Sequence, residues 1–193
     1  MSALTSLGLW FMLGSLSVVD PTYPPNIVLG GTVVAELHFV EGNVEGVHIL
    51  SGKEPFVESC KSALSEWQGD SEQNADELVI VHFRQPNLFY LNDTKEEINP
   101  AKPKESLPYP AYIIMPSYPA DALGQGSVVL RIDISTEGRV SDVQVVKPMG
   151  ILTDSSINAV RQWKFAPAED EKGNPIRSHA YAVLVYQFPL IDP

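Results

Sequence analysis

Two stretches of the sequence resemble each other and decide the fold. Residues 23–52 read YPPNIVLGGTVVAELHFVEGNVEGVHILSG, and residues 118–150 read YPADALGQGSVVLRIDISTEGRVSDVQVVKPMG. An offset of 95 aligns a glycine and two valines of each stretch: Gly31, Val33 and Val34 with Gly126, Val128 and Val129. One extra residue before the next glycine changes the offset to 96, which then holds as far as Trp67 and Trp163. This self-similarity predicts two copies of one structural unit.

Each copy predicts the same order of secondary structure. Apolar and polar residues alternate over residues 32–40 and 127–134, as in strands with one buried face. Gly42 and Gly138 can adopt positive φ, which predicts hairpins to returning strands at 44–50 and 140–146. A helix with apolar residues three to four positions apart follows in each copy. The last strands are predicted at 78–83 and 181–188.

The predicted fold class is therefore α+β, with two tandem β-β-α-β units. Each unit would be a three-stranded antiparallel sheet with one helix packed on one face, and its second and third strands would be exposed edges. The first unit spans residues 21–90 and the second 117–193, joined by a linker at 91–116 that is rich in Pro, Lys and Glu. Units of about 70 residues are near the lower limit for independent stability, so we expect them to pack on each other. A pseudo-two-fold pairing within the chain would cover one exposed edge from each unit.

The amino-terminal segment predicts export. Residues 4–19 are apolar and contain no His and no charged residue. Such a run, of about 16 residues, is shorter than the ~20 that cross a bilayer and closer to the apolar region of a signal peptide. We therefore interpret residues 1–20 as a signal peptide or membrane anchor and expect a periplasmic or cell-envelope location. The alternative is a buried amino-terminal helix or strand.

Charge and cysteine content exclude some functions. The chain has 13 Lys and Arg against 24 Asp and Glu, a net charge of -11, which argues against binding to a nucleic-acid backbone. Cys60 is the one cysteine, so an intramolecular disulfide framework and a cysteine-rich zinc site are excluded. We interpret Cys60 as a small buried apolar residue on the first helix.

No catalytic, cofactor or metal residues are predicted. Gly30-Gly31 precedes a strand, whereas a phosphate-binding loop would precede a helix. His38, His48 and His82 lie on three predicted strands and would bind a metal only if all three came together on one face. The second copy has Asp133 and Gln144 where the first has His38 and His48, so exposed strand positions are the simpler interpretation. The scattered carboxylates are interpreted as a solvated acidic surface.

The second unit resembles the carboxy-terminal domain of TonB, the energy transducer of Gram-negative envelopes. The matching residues, in chain order, are Tyr118-Pro119, Gly126, Gly138-Arg139-Val140, Ala159, Trp163-Lys164-Phe165, Pro167-Ala168 and Gly173-Asn174-Pro175. The first unit shares fewer of these residues. After Trp67 it has Gln68-Gly69-Asp70 where the second unit has Lys164-Phe165-Ala166-Pro167.

The resemblance implies a binding module, and no enzyme. TonB-like domains offer an edge strand to a segment of an outer-membrane receptor, where main-chain hydrogen bonds supply the affinity. It therefore implies recognition of a receptor or other envelope protein by strand addition, linked to transport across the outer membrane. The implied partner-binding residues lie on the last strand: Tyr181, Val183, Val185 and Gln187. A second copy of the chain, giving a homodimer, is another partner for such an edge.

Two alternatives to this function stay open. The apolar run has no His or charged residue that could contact a motor, and no long Pro-rich spacer follows it, so the sequence does not support energy transduction. A stand-alone exported scaffold or interaction protein would use the same fold with no transport role. An enzyme with a site built on loops is the third class, because a fold does not dictate function.

Overall fold

The structure is a computed structural model and describes residues 16–27, 29–84, 95–98, 104–119, 122 and 124–187. Its helices in this part of the chain are α1 (Phe56–Leu64) and α2 (Ile151–Val160). The strands are β1 (Gly31–Val40), β2 (Asn43–Ser51), β3 (Ala75–Phe83), β4 (Lys95–Glu97), β5 (Tyr109–Ile114), β6 (Gly126–Ile134), β7 (Val140–Lys147), β8 (Lys164–Ala166), β9 (Ala168–Glu169), β10 (Pro175–Ile176) and β11 (Ser178–Tyr186).

One six-stranded sheet forms the centre of the fold, in the order β2-β1-β3-β11-β6-β7. The predicted α+β class is confirmed, whereas the three-stranded sheets predicted for the two units are joined into one sheet. The two halves join because β3 and β11 pair in parallel, from Val79 opposite Tyr181 to Phe83 opposite Val185. An edge strand leaves a row of backbone N–H and C=O groups unpaired, and this pairing satisfies one such row from each half.

The parallel pairing turns one half over relative to the other. Two corresponding strands can lie side by side in parallel only if the rotation that relates them exchanges the two faces of the sheet. Accordingly, α1 packs on one face, called the α1 face, and α2 on the opposite face, called the α2 face. Alternate residues of β11 reach both cores: Val183 belongs to the core that contains Phe56 and Leu64 of α1, and Leu184 to the core that contains Leu152 of α2.

Matching contacts recur in the two halves at matching positions. The Trp67 indole donates to the Val19 carbonyl, and the Trp163 indole donates to the Ile114 carbonyl, each at 2.9 Å. Gly42 and Gly138 both have positive φ, +77° and +70°, in the hairpins after β1 and β6. These contacts support the interpretation of two related units. That the two units are copies of one sequence stays a prediction.

The first unit begins earlier than the predicted boundary at residue 21. Ser17 pairs with Gln68, and Asp20 accepts hydrogen bonds from Lys147 and Ser127 of the second half. Leu16, Val18 and Val19 pack against the α1 core. Residues 16–20 therefore belong to the folded domain, whereas the remainder of the predicted leader, residues 1–15, lies outside the described residues. None of the helices among the described residues is long and apolar enough to span a membrane.

The predicted linker is part of the fold where it is described. Within 91–116, β4 and β5 form a three-stranded sheet with β8. Lys104 contacts Glu36 and Asp76, at 2.8 and 2.6 Å, on the α2 face of the first half. Because α1 covers only the other face there, the α2 face of the first half needs a cover, and this segment supplies it. Residues 91–94 and 99–103 of the linker lie outside the described residues.

Candidate functional site: the edges of the sheet

The strand predicted to bind a partner is not an edge. Tyr181, Val183 and Val185 lie in β11, which pairs with β3 on one side and with β6 on the other, and Gln187 follows β11 directly. The three β11 side chains are 8%, 0% and 2% exposed. The prediction of a free edge is therefore wrong, because β3 of the same chain occupies the position that a partner segment would take. Phe188, the end of the predicted strand, lies outside the described residues.

Displacing β3 would cost more than a short peptide could return. Leu78, Val79, Ile80 and Val81 of β3 are all 0% exposed. Full burial of one such side chain stabilises by about 1.5–3 kcal/mol. Four of them are comparable to the net stability of a whole domain, which is about 5–15 kcal/mol. The β3–β11 contact is thus a permanent seam of the fold.

Polar and aromatic contacts also join the two halves at this seam. The Nε2 atom of His179 lies 2.8 Å from Oε2 of Glu77, a carboxylate that is only 7% exposed. Gln73 donates to the other oxygen of Glu77 at 3.3 Å. The rings of Tyr181 and Trp67 meet edge-to-face at 5.9 Å, and burial raises the pKa of Tyr181 to about 12. These contacts fix the two halves in one arrangement.

The outer strands β2 and β7 are the free edges of the six-stranded sheet in the described part of the chain. Each edge is irregular near both ends, at matching positions. The bulges lie between Val34 and Ala35 and between His38 and Phe39 in one half, and between Val129 and Leu130 and between Asp133 and Ile134 in the other. Isolated bridges from Asn43 to Gln68 and from Arg139 to Lys164 close the beginning of each edge. Bulges limit edge-to-edge aggregation, so only a short regular stretch of each strand is open to pairing.

The β7 edge has different chemistry on its two faces. Val143 and Val145 lie opposite Ile132 and Leu130, so their side chains are on the α2 face. Asp142 and Gln144 lie on the α1 face, where α1 does not cover the second half. Asp142 is directly opposite Asp133, a like-charge pair that destabilises a sheet. Arg131 offsets this by an ion pair of 2.9 Å with Asp133.

The β2 edge is less charged along the same stretch. Val47 and Ile49 lie opposite Leu37 and Ala35 and pack partly against the α1 core. Gly46 occupies the position that matches Asp142. Glu45 and His48 are exposed. The two edges therefore share a backbone geometry and differ in the side chains that a partner would meet.

The three histidines share the α2 face but do not form one site. His38 contacts Asp76 at 2.6 Å, and His48 is exposed on β2. His82 is buried, with Nδ1 3.0 Å from the Thr32 hydroxyl, and that hydroxyl donates to Glu96 at 2.6 Å. Burial, helped by the charge of Arg84, lowers the pKa of His82 to about 4. The described residues contain no group of three or more His, Cys, Asp or Glu side chains that could hold a metal ion.

Cys60 lies on the apolar side of α1, fully buried in the α1 core. Burial raises the pKa of its thiol, so the reactive thiolate is strongly disfavoured. Its place agrees with the interpretation of a small buried apolar residue.

The comparison with known families gives one match. Residues 115–187 match the family model of the C-terminal domain of Gram-negative bacterial TonB proteins. No curated protein and no solved structure matches the chain significantly. The second half of the chain, from before β6 to the end of β11, is therefore similar to the TonB C-terminal domain, which points to an envelope protein.

Proposed function

We propose that this protein is a TonB-like envelope protein that recognises an extended segment of an outer-membrane receptor or other envelope protein by strand addition, in the service of transport. The observation that carries the proposal is the pair of outer strands, β2 and β7, whose far sides have no partner strand among the described residues. An added strand gains affinity from main-chain hydrogen bonds and needs little sequence specificity. The match of residues 115–187 to the TonB family supports the envelope setting.

The proposed binding edge is not the strand that the resemblance implies. Because β3 fills the open side of β11, an incoming segment would pair with an outer strand. The role is one of binding rather than catalysis, and no cofactor is part of it. The amino-terminal run would deliver the protein to the periplasm, either as a cleaved signal peptide or as an anchor.

A second function is favoured by the same seam. A stand-alone exported scaffold would have no need for a receptor-accessible β11, and the internal pairing of β3 with β11 is what such a protein would show. In that case the two halves serve as a rigid body that presents other surfaces.

Selection of displayed random peptides on the full chain separates the two functions. For strand addition, we expect selected peptides to slow hydrogen exchange of backbone amides in β2 or β7. N-methylation of alternate peptide amides should abolish binding, because it removes the main-chain hydrogen bonds. Peptides that bind equally well when N-methylated, or a selection that yields no edge-binding peptide, would contradict strand addition and favour the scaffold.

A further inference from the structure

We infer that β7, and not β2, is the binding edge, and that its partner is an extended segment with alternating apolar residues and a Lys or Arg on the other face. This inference rests on the proposed function and specifies the partner's chemistry. It follows from apolar exposure, from an uncompensated carboxylate and from the difference between the two edges.

Apolar surface is exposed along β7 on the α2 face. Val145 is 42% exposed, and Ile151, which begins α2 four residues after β7 ends, is 46% exposed. They are two of the four large apolar side chains that are clearly exposed in the described part of the chain. The matching β2 residue, Ile49, is half-buried against the α1 core. A partner strand could therefore bury exposed apolar surface at β7, whereas at β2 most of the corresponding apolar surface is already buried within the protein.

The opposite face of β7 offers a carboxylate without a cation. Asp133 is held by Arg131, and Lys147 at the end of β7 is held by Asp20. Asp142 faces Asp133 and has no ion-pair partner among the described residues. Nε2 of Gln144 donates to it at the long distance of 3.5 Å. A Lys or Arg on an added strand opposite Asp142 would offset this like-charge pair. At β2 the matching residue is Gly46, which offers no charge.

Because side chains alternate between the two faces of a strand, the side chains of β7 predict the sequence pattern of the partner segment. Residues opposite Val143 and Val145 would point to the α2 face and should be apolar. The residue opposite Asp142 would point to the α1 face and should be Lys or Arg. A second copy of this chain is a poorer occupant, because the net charge of -11 makes two copies repel each other.

Two peptides and two matched variants test this inference on the full chain. The first peptide alternates Val with Thr and has Lys at one Thr position, and the second has Glu at that position. Binding is followed by NMR titration of backbone amides, which also locates the edge. Asp142→Lys reverses a charge on β7, and Glu45→Lys makes the same change on β2. Wild type should bind the Lys peptide about threefold to fivefold more tightly than the Glu peptide, as expected for an exposed ion pair.

Asp142→Lys should reverse the preference, and Glu45→Lys should leave it unchanged. Reversal by Glu45→Lys alone would place binding at β2, which overturns this inference and leaves strand addition intact. The inference would also be overturned if wild type bound the Lys and Glu peptides equally well, or if Asp142→Lys and Glu45→Lys showed the same preference between the two peptides. A concentration-dependent dimer in sedimentation velocity that Asp142→Lys abolishes would replace the partner by a second copy. Loss of binding at both edges would instead contradict the proposed function itself.

Discussion

Removal of the Lys104 ammonium tests whether the segment between the halves is a structural cover. Lys104 lies 2.8 Å from Glu36 and 2.6 Å from Asp76, and the Glu36 side chain is only 9% exposed. Lys104→Met keeps the aliphatic stem and leaves the Glu36 carboxylate buried without its cation. Asp76 would keep only its contact with His38.

The expected magnitude follows from burial. Breaking a fully buried ion pair costs about 3–5 kcal/mol, and an exposed pair contributes about 0–1 kcal/mol. Because the Lys104 side chain is 54% exposed while Glu36 is nearly buried, we expect a loss of about 2 kcal/mol. For a chain of this length, such a loss corresponds to a decrease in Tm of about 4–8 °C.

Urea unfolding at neutral pH, followed by tryptophan fluorescence, measures this loss. Lys95→Met on β4 is the matched control, because Lys95 and its partner Glu97 are 48% and 81% exposed. Because the Lys95 ammonium also lies 4.3 Å from the centroid of the Tyr112 ring, the control should change the free energy of unfolding by less than about 1 kcal/mol. If Lys104→Met is as mild as the control, the segment is not held by its ion pairs, and its role as a cover is refuted.

The variant also has an expected pH dependence. Although partial burial raises the pKa of Asp76, hydrogen bonds from Lys104 and His38 lower it by more, so that it lies below its usual value. A carboxyl group with a lowered native pKa contributes stability above its unfolded pKa and loses it as pH falls. The difference between wild type and Lys104→Met should therefore shrink on acidification below about pH 4. A difference that grows with acid would contradict this account.

Three further predictions concern stability. A chain that begins at Pro21 should be about 2–3 kcal/mol less stable to urea unfolding than one that begins at Leu16. The shorter chain loses the contacts of residues 16–20 with Trp67, Gln68 and Lys147. Equal midpoints of urea unfolding for the two chains would contradict this. Gly138→Ala should cost about 2–4 kcal/mol, since a Cβ would overlap the Phe165 carbonyl, whereas Gly173→Ala, with similar φ and open space, should cost about 1 kcal/mol. The free energy of unfolding should decrease by about 3 kcal/mol from pH 6.5 to pH 4 because of His82, since the unfolded state binds a proton that the buried native imidazole does not. In thermal unfolding at different pH values, His82→Gln should remove this contribution to the loss of stability in acid.

Local patterns predicted the elements well. The alternation in β1 and β6, the hairpin glycines and both helices follow from residues close in sequence, where steric rules decide the outcome. Pairing of the two units was expected, but the strands that form the seam, β3 and β11, were not identified because they are far apart in the chain. One signal could have revealed it: residues 78–81 and 181–186 are nearly continuous apolar runs, which is typical of strands buried on both faces. Interpreting residues 181–188 as an edge overlooked that signal.

The free edge and the amino-terminal boundary were harder to predict. Asp142 becomes informative only when the register places it opposite Asp133, and register depends on bulges that the sequence does not mark. Residues 16–20 look like the end of an apolar leader. Their structural role becomes visible in tertiary contacts, such as the Trp67 indole that donates to the Val19 carbonyl as the Trp163 indole donates to that of Ile114.

The seam has a consequence for how the chain acquires its structure. Val79 in β3 lies opposite Tyr181, which is about one hundred residues later in the chain, so the second side of β3 can pair only when β11 is present. Contacts so distant in sequence slow folding. A chain synthesised from its amino terminus would hold β3 paired on one side only, with β1, until β11 emerges, and the open apolar edge is exposed to aggregation. If the protein is exported, as we propose, the late completion of β3 would favour the incompletely folded state that passage across a membrane requires.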